Sequence, residues 1–227
     1  MSTQAQVQAI PGMLEISQAL GALAQKNVPA VRRLRRAWSR RLAPQPARVV
    51  VNLARGLCEL GGWERLVGYE LVDSHQAAQR ALRTRDVLAL GRGLAGWGAV
   101  DCYAGYILGP AWREGQISDG LVHRWAHSPD RWQRRAALVS TVPLNSRAHG
   151  GRGDPARTLA VCRLLVDDRD DMVVKALSWA LRELAKREPA AVKAFLREHA
   201  GRLAARVRRE VWNKLKTGLK NPRRQPV

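Results

Sequence analysis

Trp97 and Asp101 stand four residues apart in Trp97-Gly98-Ala99-Val100-Asp101, a separation that puts an indole and a carboxylate on one face of a helix. A fixed carboxylate stabilises a developing cation by direct charge, and a tryptophan face attracts the same charge by about 0.5–2 kcal/mol. The pair is therefore equipped for chemistry in which positive charge builds up at carbon and a water attacks it. Around it, 39 Lys and Arg outnumber 19 Asp and Glu, for a net charge of +20. An acid facing out of so basic a surface repels the phosphates that the rest of the surface attracts, so it asks for a chemical role. The role that fits is stabilisation of the cation that forms on a DNA sugar as a damaged base departs. The plain alternative is a partly buried aromatic beside a surface acid.

Charge also selects the partner. A folded chain with this excess of basic residues needs a polyanion, and nucleic acid ranks ahead of an anionic membrane because no long basic amphipathic segment with an exposed apolar face stands out. No apolar run reaches membrane-spanning length, and MSTQAQVQAIPGM lacks the pattern of a secretory signal, so a cytoplasmic, nucleoid-associated monomer is expected. Cys58, Cys102 and Cys162 are too scattered for a disulfide framework or a thiolate metal site, and no cofactor is expected. At 227 residues and 46% hydrophobic content, the chain can bury a continuous core and reads as a single domain, with 1–12 and 218–227 as flexible ends.

The elements that must position the pair are helical. Apolar residues recur at three- and four-residue intervals almost throughout, and β-branched alternation is confined to Val49–Val51. Helices are predicted at about 13–25, 29–42, 45–60, 63–72, 84–94, 97–108, 117–126, 129–141, 155–166, 169–187, 189–199 and 203–217. Pro29, Pro44, Pro129, Pro155 and Pro189 fall where first helical turns are expected, positions that tolerate a missing amide hydrogen. SPDRWQRRAALVS (128–140) aligns with DRDDMVVKALSWA (168–180), superposing Asp130 on Asp170, Arg135 on Lys175 and Ala136 on Ala176 at a period of 40. ARVRREVWNKL (205–215) is a weaker third copy. Such helix pairs stack into an all-α, HEAT-like solenoid, for which a basic concave groove suited to a duplex is expected.

Three pieces of the chain resemble the bacterial AlkD-type DNA alkylation-repair family. VKALSWALRELAKREPAAVKAFLREH (174–199) is similar to its most recognisable helix and turn, RRAALVS (134–140) to the preceding repeat, and Trp97 with Asp101 to its tryptophan-x-x-x-aspartate element. The similarity runs over about 63–215. It implies a HEAT-like glycosylase that removes alkylated purines from double-stranded DNA without extruding the base, with Asp101 against the deoxyribose of the lesion. It also implies that Trp97 and Trp179 flank that aspartate and that Arg135, or its neighbour Arg134, contacts the backbone near the lesion; Lys175, the repeat equivalent of Arg135, is a further candidate for DNA contact.

The chemistry is coherent on its own terms. An N3- or N7-alkylated purine is already cationic, so its glycosidic bond needs no strong general acid. What remains is an oxocarbenium-like sugar and a water, for which a preorganised carboxylate is worth about 3–4 kcal/mol.

Several other patterns carry less. Gly91-Arg92-Gly93-Leu94-Ala95-Gly96 matches a dinucleotide fingerprint without the strand it requires, and its glycines read better as the turn before the Trp97 helix. His123 and His127 lack a third metal ligand, Ser140, Ser146 and Ser178 lack a nucleophile elbow, and Arg152-Gly153-Asp154 has no meaning as an adhesion signal in a cytoplasmic chain. Trp38, Trp63, Trp112, Trp125, Trp132 and Trp212 are assigned to packing, and the arginine run from Arg32 to Arg41 to phosphate contact or a solvated face. Residues 143–154 form the longest loop signal; Arg147, His149 and Arg152 there are candidates for DNA contact, extending the substrate range to bulky minor-groove adducts, with a disordered surface insertion as the alternative. A noncatalytic DNA-binding module and a protein-binding scaffold share the same composition and stay open.

Overall fold

The computed structural model describes residues 10–222; the expected flexible ends fall mainly on residues outside that range. Every regular element among the described residues is helical, and the fold is an all-α helical-repeat architecture. The contacts divide the chain into two compact units that meet at Gly93 and Leu94.

The first unit contains α1 (Met13–Gly21), α2 (Val28–Leu42), α3 (Ala47–Leu60), α4 (Gly62–Ser74), α5 (Gln76–Arg80) and α6 (Thr84–Leu90). Its core is built from Ile16, Leu20, Val31, Leu53, Leu57, Val67, Leu71, Val87 and Leu90, which follow the predicted helical spacing. Helices α3 and α4 approach closely because Gly68 lacks a side chain: a Cβ there would lie 3.0 Å from the Ala54 carbonyl oxygen. Buried Glu70 on α4 receives Arg32 at 2.7 Å and Arg35 at 3.0 Å, so part of the arginine run serves to fasten α2.

The second unit begins with α7 (Trp97–Tyr103), which continues through a π-helical turn (Ala104–Leu108) into α8 (Gly109–Arg113). It goes on through α9 (Asp119–Ala126), α10 (Arg131–Val139), α11 (Val142–Asn145), a 3₁₀ turn (Arg147–His149), α12 (Pro155–Leu164), α13 (Asp171–Leu184), α14 (Pro189–Glu198) and α15 (Ala205–Thr217). Helices α7, α10, α13 and α15 pack in series as one row, while α9, α12 and α14 back onto it. The sequence alignment of repeats is realised physically, since Asp130 and Asp170 both cap their helices, accepting from the Trp132 and Met172 amides at 2.9 and 2.8 Å.

The row begins at Trp97, Arg131, Asp171 and Ala205, so its spacings are 34, 40 and 34 residues. The longer middle spacing contains α11 and the 3₁₀ turn. The predicted loop is thus partly helical, and it is pinned. Buried Asn145 donates to the Thr141 carbonyl at 2.9 Å and the Thr158 hydroxyl at 2.8 Å, and accepts from the Asp154 amide at 2.9 Å. Arg187 donates to the carbonyls of Asn145 and Gly151, and Arg113 to that of His149. Backbone carbonyls that a disordered loop would leave to water are satisfied by side chains here.

Other departures are local. Pro29, Pro155 and Pro189 do occupy first turns, whereas Pro44 and Pro129 stand in the turns before the next helix. The short helices α5 and α11 have too few turns to show a periodic stripe. The helix predicted to stop near 108 runs on to Arg113 because a π turn passes Gly109 beside the Ser140 carbonyl, where a Cβ would lie only 2.6 Å away.

Candidate active site

Trp97 opens α7 after Gly93 and Gly96, whose φ values of 64° and 91° are costly for any residue with a side chain. The predicted turn before this helix is present. Trp97 is 61% exposed, more than any other large hydrophobic side chain among the described residues. An indole left so open needs a partner other than the core.

One turn further along, Asp101 does not face out of the surface as its sequence context suggests. It turns toward α10 and meets Arg135 in a two-point pair, Nε to Oδ1 at 2.8 Å and Nη2 to Oδ2 at 2.7 Å. The same guanidinium donates through Nη1 to the Met172 carbonyl on α13 at 2.5 Å, so one side chain ties three successive helices of the row. Side-chain exposures are 7% for Arg135 and 17% for Asp101. Burial pushes the Asp101 carboxyl above the ordinary carboxylate range, against the opposing pull of the hydrogen bonds and charge of Arg135. A carboxylate has about four lone-pair sites and Arg135 uses two, so Asp101 keeps acceptor capacity toward its exposed edge.

The other candidates are placed as follows. Arg135, expected at the DNA backbone, is buried with three of its five N–H donors engaged within the protein. Arg134 is also internally engaged, donating to Asp168 at 2.7 Å and to the carbonyls of Ser128 and Pro129. Lys175 is exposed on α13, paired with Asp171 at 2.6 Å. Trp179 lies half-buried one turn beyond it, and so on the same helix face. Arg147 and Arg152 are exposed, and half-buried His149 has its ring centroid 6.0 Å from that of Tyr106. Asp101 and Arg135 are brought together, and α13 joins them through its backbone at Met172. Trp112 is fully buried and Trp125 stacks at 5.9 Å on Tyr103, in keeping with packing roles.

The Asp101–Arg135 pair is the feature that sequence reasoning missed. Its signal was a spacing: Arg135 and Asp101 are 34 residues apart, as are Arg134 and Asp168, while Arg202 with Asp167 and Arg206 with Asp171 are 35 apart. Arginine in one repeat pairs with aspartate in a neighbouring repeat, before or after it, at close to the repeat length.

The model of the DNA alkylation repair enzyme family matches residues 23–215. The chain belongs to this family. The match begins some forty residues before the stretch that resembles it by eye, and so includes most of the first unit. No curated protein matches the chain. Family membership makes the protein an enzyme of DNA alkylation repair. Among the described residues, no group of three or more His, Cys, Asp or Glu is arranged to hold a metal ion, and no helix is long and apolar enough to cross a membrane.

Proposed function

We propose that the protein is a monofunctional DNA glycosylase, acting as a monomer, that hydrolyses the N-glycosidic bond of N3- or N7-alkylated purines in duplex DNA. The observation that carries this reading is a partly desolvated carboxylate, held in register by a buried arginine, one helical turn from a wide-open indole.

The bond from C1′ to the purine nitrogen breaks with its electron pair passing to the cationic base, which leaves neutral. Positive charge moves onto the sugar, where the Asp101 carboxylate lies close enough to stabilise it. Water forms the new bond to C1′, and its proton passes to Asp101 or to solvent. A carboxyl whose proton affinity is raised by burial is better suited to accept that proton than one in bulk water. Arg135 is a positioning residue: it fixes both oxygens and leaves their free edge toward the substrate side. Trp97 and Trp179 offer π faces to the cationic nucleotide, a mode that works with the base still stacked. Lys175, paired with Asp171 at 2.6 Å, adds positive charge to the face of α13 that carries Trp179, where it can meet a phosphate. Arg147 and Arg152 are available to phosphates or to a bulky adduct beside the site.

The test is incubation of the wild type and Asp101→Asn with duplex DNA carrying one 7-methylguanine or 3-methyladenine. Free base together with an uncut abasic strand is expected from the wild type and is lost in the variant. Strand cleavage with a borohydride-trapped protein–DNA adduct would overturn the hydrolytic reading. A folded wild type that binds DNA and releases no base would make the protein a noncatalytic module.

A further inference from the structure

The first unit carries a second basic feature that the lesion chemistry does not use. Arg48 and Arg55 on α3 and Arg85 on α6, with Arg92 just beyond it, are all exposed and surround a cavity of about 350 Å³ floored by Ala89. The one acid lining it is Asp86, 3% exposed and already claimed by Arg48 at 2.9 and 3.1 Å and by the Arg83 amide at 3.1 Å. Burial of Asp86 works against its ionisation, but the hydrogen bonds from Arg48 and Arg83 and the charges of Arg48 and Arg85 hold its carboxyl below the ordinary range. Arg55, Arg85 and Arg92 have no acidic partner among the described residues.

This arrangement is built. Arg48 is oriented by the buried carboxylate. The turn that carries Arg92 is fastened from α4, where Arg65 donates to the Arg92 carbonyl at 2.8 Å and the Tyr69 hydroxyl to the Leu90 carbonyl at 2.9 Å. Arg65 also donates to the Cys58 carbonyl at 2.7 Å, so one side chain on α4 ties α3 to the Arg92 turn. Like charges are held together at a cost that an oxyanion between them would relieve.

We propose that Arg48, Arg55, Arg85 and Arg92 form a binding site for backbone phosphates of duplex DNA, which supplies affinity that does not depend on damage. The proposal rests on the reading of DNA as the partner and is independent of the chemistry at Asp101. Arg48 and Arg55 are two helical turns apart, about 10 Å along α3, so their guanidinium groups can engage different phosphates of a strand. The Arg fork matches phosphate oxygens, and the small Ala89 side chain leaves room for a phosphate between the arginines of α3 and α6.

The test compares the full chain with the triple variant Arg55→Gln, Arg85→Gln, Arg92→Gln; Arg48 is kept because it anchors Asp86. A second triple variant, Arg163→Gln on α12 with Lys193→Gln and Arg197→Gln on α14, makes the same change of charge at exposed positions assigned no DNA contact. Binding to undamaged duplex is measured from low to moderate salt. Loss of three phosphate contacts lowers the log–log slope by about 2–3, at about 0.9 per phosphate. The expected result is that fall, with Kd weakened at least tenfold at low salt, in the cavity variant and a much smaller change in the α12–α14 variant. Equal effects in both would reduce the site to general charge and overturn it. Saturation of the wild type by micromolar inorganic phosphate or nucleoside monophosphate would assign the cavity to a small ligand and overturn it as well. Should the wild type release no base while the slope still falls, the phosphate site stands and the glycosylase reading is lost.

Discussion

Replacing Arg135 by lysine keeps a positive charge but removes the fork that meets both oxygens of Asp101 and the bond to the Met172 carbonyl. A lysine ammonium reaches one carboxylate oxygen at a time and cannot also cap Met172. Truncating one partner of a well-buried pair costs about 3–5 kcal/mol. The 17% exposure of Asp101 and the retained charge reduce this to about 2 kcal/mol. For a chain of this length such a loss lowers the unfolding midpoint by about 4–8 °C. The carboxylate, no longer held at two points, loses part of its electrostatic contact with the transition state. Single-turnover excision at saturating protein should fall about 10- to 100-fold. Affinity for undamaged duplex should stay within about threefold, because the guanidinium is buried in the protein. Differential scanning fluorimetry, single-turnover base release and fluorescence anisotropy on one preparation read the three quantities. An unchanged midpoint with a tenfold or greater loss of affinity for normal DNA would mean that Arg135 contacts phosphate rather than positioning Asp101, and the reasoning would fail.

Asp101→Asn should lower excision about 100-fold or more while DNA affinity holds or rises, read by single-turnover release beside anisotropy; a wild-type rate in folded, DNA-saturated protein would remove Asp101 from the chemistry. Because burial raises the Asp101 carboxyl, protonation switches the site off as pH falls, and the descending acid limb of the excision profile should lie above the usual carboxylate value of about 3.9 and vanish in the Asn variant. Trp97→Ala removes an exposed side chain, so the unfolding free energy should change by less than about 0.5 kcal/mol while excision drops by about 2- to 30-fold, the range of one cation–π contact; a thermal destabilisation instead would mark Trp97 as a packing residue. Asn145→Ala leaves the Thr141 carbonyl and Asp154 amide without their buried partner, which should cost about 1–3 kcal/mol and speed amide exchange across residues 146–154; unchanged exchange there would refute the pinned segment.

Much of the helical order was legible because its causes lie within a turn or two of each residue. Asp130 and Asp170 cap their helices through amides two residues on, and apolar spacing marks the buried faces of α3, α10 and α13. The shared face of Trp97 and Asp101 belongs to the same class, since four residues make about one helical turn wherever the helix sits. The direction of the Asp101 carboxylate did not. It depends on a guanidinium 34 residues away, on a carbonyl of a third helix 37 residues beyond that, and on how deeply the packed row removes all three from water. Desolvation raises the proton affinity of Asp101 and makes Arg135 a structural partner, and it exists only once the helices are stacked. The same holds for segment 143–154, whose glycines and arginines read as a free loop until Asn145 within it and Arg113 and Arg187 from separate elements satisfy its backbone. Residue types and local spacing determined which groups were available on which helix face, whereas packing decided which of them meet each other and which stay exposed.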